Sequence, residues 1–441
     1  MSVVDLARDL IRIDTSNIPD PTGTTMTGHE TLAAEHLAAY LSAAGIECEL
    51  VAREPHRANL IARIRGDGTG PSLAFVGHTD VVPADRGSWL HPPFAGVIDD
   101  EGFLHGRGAL DMKGEVAARA VAMATLARRG FRPRGDLWFL AVADEEDGTA
   151  DVGMRWLLEQ RPDIRPEMAV NEGGGELLEL EGRSFLTVSL GEKGTFPARL
   201  SVIGEAGHAS RPSAGSNPIP ALSKLLTRLD RGLPTSKSTP WLIEALTTVL
   251  DNPVTDVDSA VEIAGRLHPS LAGALPPMGG TTMAPTMLKA STVRNIIPGE
   301  ASAELDCRVV PGATAAQVEQ DIRSRLGDDV AYTLSWPEPF VAGNSSPAQS
   351  ELMTAIKDFL ATTPQSPTVL PILDSGFTDS VHLRAVANTV AYGVNPYLNT
   401  PSPVLTSGFH NVNERVHVDD LQLSVDFHLF MAERLLGSVP G

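Results

Sequence analysis

Cysteine is nearly missing from this chain: Cys48 and Cys307 are the only two in 441 residues. A disulfide framework is thereby excluded, and a thiolate-held metal cluster cannot form. Positive charge is also in short supply, with Lys+Arg 35 against Asp+Glu 55 and a formal net charge of -20. Nucleic acids and anionic membranes both demand a basic face, so neither is an expected partner. An anionic substrate would gain no long-range attraction and would need a local cationic clamp. Long apolar runs are absent as well; no stretch approaches the ~18 to 20 residues of a transmembrane helix. The N-terminus, MSVVDLARDLIRIDTSN, carries Asp5 and Asp9 inside its apolar pattern. It lacks the basic start and continuous apolar core of a signal peptide, and the cytoplasm is the expected compartment. No Gly-x-Ser-x-Gly elbow occurs, which speaks against a serine hydrolase.

What is present suits a globular enzyme. Hydrophobic residues make up 42% and charged residues 20% of the chain, enough for real cores and against wholesale disorder. The length suggests about two to three domains. The most informative feature is a series of short islands rich in His, Asp and Glu: GHTD (His78, Asp80), GRGALDMKG (Asp111), DEED (Asp144 to Asp147), NEGGG (Glu172) and SGFHNVNE (His410, Glu414). Each follows, or lies close to, an apolar run that reads as a buried strand, as in SLAFVGHTD and LWFLAVADEED. Ligands of open α/β sheets bind beyond the carboxyl ends of the strands. Imidazoles and carboxylates delivered there point to a metal centre with N and O ligands.

The pattern of elements predicts an α/β fold. Leu6, Leu10 and Ile11 mark a short amphipathic helix, and HETLAAEHLAAYLSAAG reads as a helix stopped by Gly45. ECELVARE, ANLIARIRG, SLAFVGHTD and LWFLAVA read as strands, and Met112 to Arg129 as an Ala-rich helix closed by Gly130. Such alternation predicts a sheet with helices on both faces. The character changes after Gly191 to Thr195. FPARLSVIGEA and ASAELDCRVV alternate as half-exposed strands, while SNPIPALSKLLTRLD and AAQVEQDIRSRL read as helices. This describes a small α+β layer on an antiparallel sheet. We expect an inserted domain at 195–336 within a discontinuous domain formed by 1–194 and 337–441. A Pro- and Thr-rich stretch, 233–285, suggests no function.

The islands resemble, in order and over nearly the whole chain, the metallopeptidase and amidohydrolase family of aminoacylase, acetylornithine deacetylase, succinyl-diaminopimelate desuccinylase and glutamate carboxypeptidase. GHTDVVP, GRGALDMKG, DEE, the Glu-Gly-Gly island, GHAS…NPI, the Asn-Ile-Ile-Pro segment and His-x-x-Asn-Glu all match. The resemblance implies a three-layer catalytic domain around a mostly parallel sheet, interrupted by a smaller α+β lid domain that dimerises. It implies two zinc ions per chain, with cobalt or manganese able to use the same N/O ligands. His78 and Glu172 would hold one ion, Glu146 and His410 the other, and Asp111 would bridge them. Glu145 would be the general base, and Asp80 would orient the His78 ring. Two ions so bridged sit ~3.5 to 4 Å apart and lower the pKa of a water between them to around 7. A free carboxylate can then take its proton as it attacks an amide and pass it to the leaving amine. Adjacent Glu145 and Glu146 can point to opposite sides of an extended backbone, one binding metal and one free as base.

Further roles follow from the same resemblance. His208, reached across the dimer interface, would donate to the oxyanion. Asn295 and Arg308 would contact substrate, Arg308 by clamping a carboxylate with both prongs; otherwise it is a cross-strand ion pair. SGFTDSVHL matches a substrate loop through Thr378 and Asp379. Here the chain departs from the aminoacylase and desuccinylase branches, which place an Arg where this chain has Val381. That tilts the expectation towards the carboxypeptidase-like branch.

Several residues have plainer readings. Asp144 and Asp147 are expected to be solvated or capping residues, and Asp111 could also cap the helix behind it. Glu414 is either a surface acid or a support for the ligands. His56, His91 and His105 read as structural or surface residues. Gly173 to Gly175 lack the Lys-Ser/Thr of a phosphate loop and read as close backbone packing. The expected protein is a cytoplasmic, homodimeric, metal-dependent hydrolase of an amide bond in a small peptide or N-acyl amino acid. The alternatives are an N-acyl amino acid deacylase and a non-catalytic metal- or peptide-binding homologue; an intact Glu145 argues against the latter, which needs no free base.

Overall fold

The computed structural model describes residues 1–19, 26–148, 150–180, 182–212, 216–229, 243, 246–247, 251–267 and 275–437. The chain forms two compact units: Met1–Leu190 with Ser346–Ile372 and Thr378–Gly441, and Gly191–Ser345 with Leu373–Phe377. These bounds differ from the expected 195–336. Gly191 and Glu192 pair with Ser345 and Asn344, and Lys193 N donates to Asp374 O, which draws both stems into the smaller unit.

The larger unit is an α/β sandwich. At the centre of its sheet, Val390–Gly393, Met168–Asn171, Leu73–His78 and Leu137–Val142 run side by side in parallel. Antiparallel strands flank them, Ala58–Ile64 and Glu47–Ala52 on one side and Arg183–Glu192 and Leu177–Leu180 on the other. The central strands read as apolar runs because both faces are covered, as parallel sheets require. Ala74 and Val76 pack with Met154, Leu157 and Leu158 of the helix Met154–Gln160. Phe75 faces the other way, edge-on to His428 of the helix Val418–Leu436. That helix packs against Lys113–Arg128 and was not foreseen from the sequence.

The smaller unit is an antiparallel sheet backed by helices. Glu300–Val309 lies between Thr282–Lys289 on one side and Ala198–Ile203 with Gly194–Thr195 on the other. Its residues alternate between core and surface along the whole strand. The inward set, Ala301, Ala303, Leu305, Cys307 and Val309, meets Leu222, Leu225 and Leu229 of the helix Pro218–Leu229. Val318, Ile322 and Leu326 of Ala315–Leu326 complete that core. Much of the stretch 233–285 lies outside the described residues; within it, Val257–Leu267 is a helix. No described helix is long and apolar enough to cross a membrane.

Candidate metal centre

Three adjacent parallel strands deliver polar residues at their carboxyl ends. His78 closes Leu73–His78, Asp144 to Glu146 follow Leu137–Val142, and Glu172 follows Met168–Asn171. The register sets His78 beside Val142, so the first two islands emerge level with one another. Residues far apart in sequence join them through a small sheet in which Arg415–His417 pairs antiparallel with Phe103–His105. Antiparallel pairing of Arg415 with His105 turns the segment before Arg415 back along the loop that follows His105. Glu414 is fully buried and locks the two together. Its Oε1 accepts from Leu110 N (2.7 Å) and Asp111 N (3.0 Å), and its Oε2 from Gly108 N (3.1 Å) and Arg107 Nη1 (2.6 Å). Glu414 is therefore no surface acid; it is buried and holds the loop that bears Asp111.

Asp111 sits between two imidazoles. Its Oδ1 lies 3.0 Å from His78 Nε2, and its Oδ2 lies 3.0 Å from His410 Nε2. Each imidazole has a second carboxylate, Glu172 Oε2 at 3.5 Å from His78 and Glu146 Oε2 at 2.8 Å from His410. Glu145 Oε2 stands further off, 3.9 Å from His78 Nε2. Two ligand groupings stand out by distance alone, His78 with Asp111 and Glu146, and His78 with Glu145 and Glu172, their donor atoms all within 4.8 Å. Proximity therefore leaves Glu145 open as a ligand. His410 is more exposed than the other donors, with a side chain 56% accessible and a left-handed backbone at φ 55.

His78 is poised as a donor of a lone pair. Its Nδ1 faces the Asp80 carbonyl oxygen at 3.0 Å, which can only accept, so Nδ1 keeps its proton and Nε2 is the nitrogen that could ligate once its own proton is released. The Asp80 carboxylate is further from that ring nitrogen, at 3.5 Å. It accepts instead from Glu145 N (3.2 Å) and Glu146 N (3.1 Å), so Asp80 orients the acidic turn as well as the ring.

The electrostatics call for cations. Burial pushes Glu145 well above the usual carboxylate range, helped by the charge of Glu172. Burial, then Asp111, carries Glu146 to about 7, and burial likewise carries Glu172 to about 7. Burial would raise Asp111 too, but hydrogen bonds from His410 and His78 hold it below its ordinary range. Hydrogen bonds to Asp111 and Glu146 lift His410 to about 10, and the same kind of partners lift His78 against the effect of burial. Glu146 Oε1 and Glu172 Oε1 are buried with no hydrogen-bond partner. Buried acceptors left in this way need a donor or a metal. Two imidazoles and several carboxylates, two of them with orphaned oxygens, fit divalent ions that favour N and O ligands.

The residues expected to contact substrate fall into two groups, one in each unit. Asp379, in the larger unit, is buried and its carboxyl is pushed well up, first by burial, with the charges of Glu172 and Asp80 adding to the rise. Thr378 Oγ1 accepts from Ser380 N at 3.2 Å, and Val381 is buried in the following helix turn. In the smaller unit His208 is exposed on a short strand paired with Ile296–Ile297, and Ala209 N donates to Asn295 O at 3.0 Å. His208 and Asn295 are therefore neighbours. Ser210 N donates to His208 Nδ1 at 3.2 Å, which leaves the proton on Nε2. Arg308 forks onto Asp306 of its own strand, Nε to Oδ1 at 2.9 Å and Nη2 to Oδ2 at 3.2 Å. Its ion pair runs along the strand and not across it.

Other expectations need correction or gain detail. Asp144 is not solvated; it is buried and pairs with Arg57 and Asn17, whereas Asp147 is exposed. Asp111 caps nothing, since the cap position of the next helix is Met112, with no side-chain hydrogen bond. His105 is buried and bonded to Asp99 at 2.7 Å. A Cβ on Gly174 would lie 2.5 Å from Gly393 O, and one on Gly175 1.6 Å from Asn395 O, so this island is close backbone packing. The buried ion pair Arg119–Glu115 was not legible in the sequence; Tyr397 Oη donates to Glu115 at 2.6 Å and Arg119 Nε to His428 Nε2 at 3.2 Å. Glu115, Arg119 and His428 lie on buried helix faces, and only that position among apolar neighbours could have marked them.

The profile of peptidase family M20/M25/M40 matches residues 74–434. A succinyl-diaminopimelate desuccinylase of Bradyrhizobium diazoefficiens is 30% identical over 98% of this chain and 99% of its own. The chain belongs to peptidase family M20/M25/M40. The N-fatty-acyl-amino acid synthase/hydrolase of Mus musculus is 28% identical to this M20 chain over 87% of it and 77% of the mouse protein. Among solved structures, an M20 family metallo-carboxypeptidase from Sulfolobus solfataricus superposes with a TM-score of 0.73 over 99% of both chains, at 18% identity, and shares the fold. The chain is accordingly an M20 hydrolase, an enzyme suited to metal-dependent cleavage of amide bonds.

Metal binding should release protons. Ligation needs neutral imidazoles and ionised carboxylates. His410 at about 10 and Glu146 and Glu172 at about 7 all hold protons near neutrality when no ion is bound. Apparent affinity for Zn2+ should therefore rise with pH between about 6 and 9. Calorimetric titration in buffers of different ionisation enthalpy will show net proton release; pH-independent binding without release would contradict the ligand set.

Proposed function

We propose that this M20 hydrolase cleaves the amide joining an acyl or peptidyl group to an amino acid with a free α-carboxylate. The observation that carries the proposal is Asp111, whose two oxygens each face a different imidazole at 3.0 Å. In this reading His78 and Glu172 would hold one zinc ion and Glu146 and His410 the other, with Asp111 available to both. Bound ions of this kind supply acidity to a water and a positive pole for the substrate carbonyl. Glu145 would serve as the proton carrier, accepting a proton from the attacking water and giving it to the departing amine. Its longer distance to His78, 3.9 Å, and its raised proton affinity suit a base better than a ligand. Glu145→Gln should retain both ions and lose turnover by ~10² to 10⁴, whereas His410→Ala should lose one ion. Elemental analysis beside steady-state kinetics reads both; near-normal turnover in Glu145→Gln would remove the base assignment.

His208 is the proposed oxyanion donor, supplied by the second subunit of a homodimer through the smaller unit. Its proton on Nε2 is what a donor needs. Mixing inactive His208→Ala with inactive Glu145→Gln and allowing subunit exchange should restore activity at one site of each heterodimer. No recovery despite proven exchange, or a fully active monomer, would remove the proposal of a shared site. The two unpaired cysteines suit a reducing cytoplasm, where we place the protein.

Asn295, Thr378 and Asp379 are proposed to line the substrate, with Arg308 as the clamp for its carboxylate. Asp306 already holds the Arg308 fork in a planar, two-pronged orientation. The desuccinylase and the fatty-acyl-amino acid hydrolase among the relatives favour N-acyl amino acids as one form of this substrate. Val381, apolar and buried, favours the carboxypeptidase-like form. A charge-assisted pair of this kind is worth ~1.5 to 3 kcal/mol. Arg308→Ala should thus cost roughly 10- to 150-fold in kcat/KM on a free-acid substrate and little on its C-terminal amide. Equal wild-type rates on acid and amide would exclude the clamp and point to an aminopeptidase-like specificity.

A further inference from the structure

The turn that carries Glu145 and Glu146 is gripped from behind. Asp80, fully buried, accepts from both backbone amides of the turn, at 3.2 and 3.1 Å. Asn17, 2% exposed, donates Nδ2 to Asp80 Oδ2 at 3.2 Å and to Asp144 Oδ1 at 3.4 Å. Asp144 enters the turn with φ 62, a left-handed backbone that side-chain-bearing residues seldom adopt. Its carboxylate is also met by Arg57 Nη1 at 3.3 Å. Arg57 in turn forks onto Glu30, Nε to Oε1 at 3.0 Å and Nη2 to Oε1 at 2.5 Å. The side chains of Arg57 and Glu30 are 1% and 0% accessible. Glu30 starts the helix Glu30–Ser42, and Arg57 immediately precedes the strand Ala58–Ile64, so the grip is anchored to regular elements of the larger unit.

A guanidinium held between two buried carboxylates has little freedom. If Asp144 rotated out of the left-handed region, its buried carboxylate would move away from the Arg57 guanidinium where water cannot replace that contact. The conformation at residue 144 decides where residue 145 points. A base displaced by ~1 Å can lose ~10² in rate. We infer that Arg57, braced by Glu30, is a positioning residue for the reaction: through Asp144 it holds the turn in the conformation that aims Glu145 at the metal centre. This inference rests on Glu145 being the base.

Two conservative variants test it. Asp144→Asn keeps the shape and the tolerance for positive φ but loses the charge. Arg57→Lys keeps the charge but lacks the fork needed to serve Glu30 and Asp144 together. Each is expected to lower kcat by ~10- to 100-fold with KM changed less than about twofold and both ions retained. The decisive comparison is made in the Glu145→Gln background. With the base already gone, Asp144→Asn should cost less than about a further twofold. Wild-type kcat in Asp144→Asn would overturn the inference, as would an equal loss in both backgrounds or a loss that tracks missing metal. Near-normal turnover in Glu145→Gln alone would instead strike the base assignment on which it stands.

Discussion

Like charge gathered in a poorly solvated space governs this structure. Asp111, Glu145, Glu146 and Glu172 converge on two imidazoles, and the first three are nearly or wholly withdrawn from water. Carboxylates so placed either take up protons or receive cations. The lifted proton affinities of Glu145, Glu146 and Glu172 are the protonated answer to that crowding. Divalent ions are the other answer, and Glu146 Oε1 and Glu172 Oε1, buried without hydrogen-bond partners, suit them as ligand atoms. The same crowding sets neighbours apart: Glu146 Oε2 lies 2.8 Å from His410, while Glu145 stands further from the imidazoles and has a raised affinity for protons.

Holding such groups together requires backbone amides as much as side chains. Glu414 gathers three N–H groups and a guanidinium to fix the loop that bears Asp111. Asp80 does the same for the acidic turn with two N–H groups. Both carboxylates are fully buried, and neither faces the reacting space as a ligand in the scheme proposed above. Left-handed backbone recurs at Asp144 and His410, where the chain must present a side chain from a sharp bend. Such local strain concentrates at functional sites because the surroundings over-determine it.

Much of this was legible in the sequence, for identifiable reasons. Buried parallel strands read as unbroken apolar runs, so the residues just after Val76 and Val142 stood out as the carboxyl ends where ligands gather. The alternation in Glu300–Val309 announced its half-buried face. The strand Thr282–Lys289 was hidden because it is largely exposed on both faces and contains Pro285 and a bulge. The partners of Asp144 were illegible because Arg57 and Asn17 lie 87 and 127 positions away in sequence, and a lone Arg or Asn carries no periodic signal. Arg308 was seen as a charge, but its pairing with Asp306 depends on side-chain conformers that no spacing rule fixes.

The contact between Glu414 and the amide of Asp111 spans 303 positions of the chain. During synthesis at about 5 to 20 residues per second, roughly 15 to 60 s separate the appearance of those two ends. Through that interval the loop bearing Asp111 has been made without the carboxylate that orders it, and without His410. The early islands can meet as soon as their strands assemble, while the cluster around Asp111 is completed only once residues 410–414 have been made. A nascent chain therefore carries Asp111 and its acidic neighbours well before it carries the partners that order and complete their cluster.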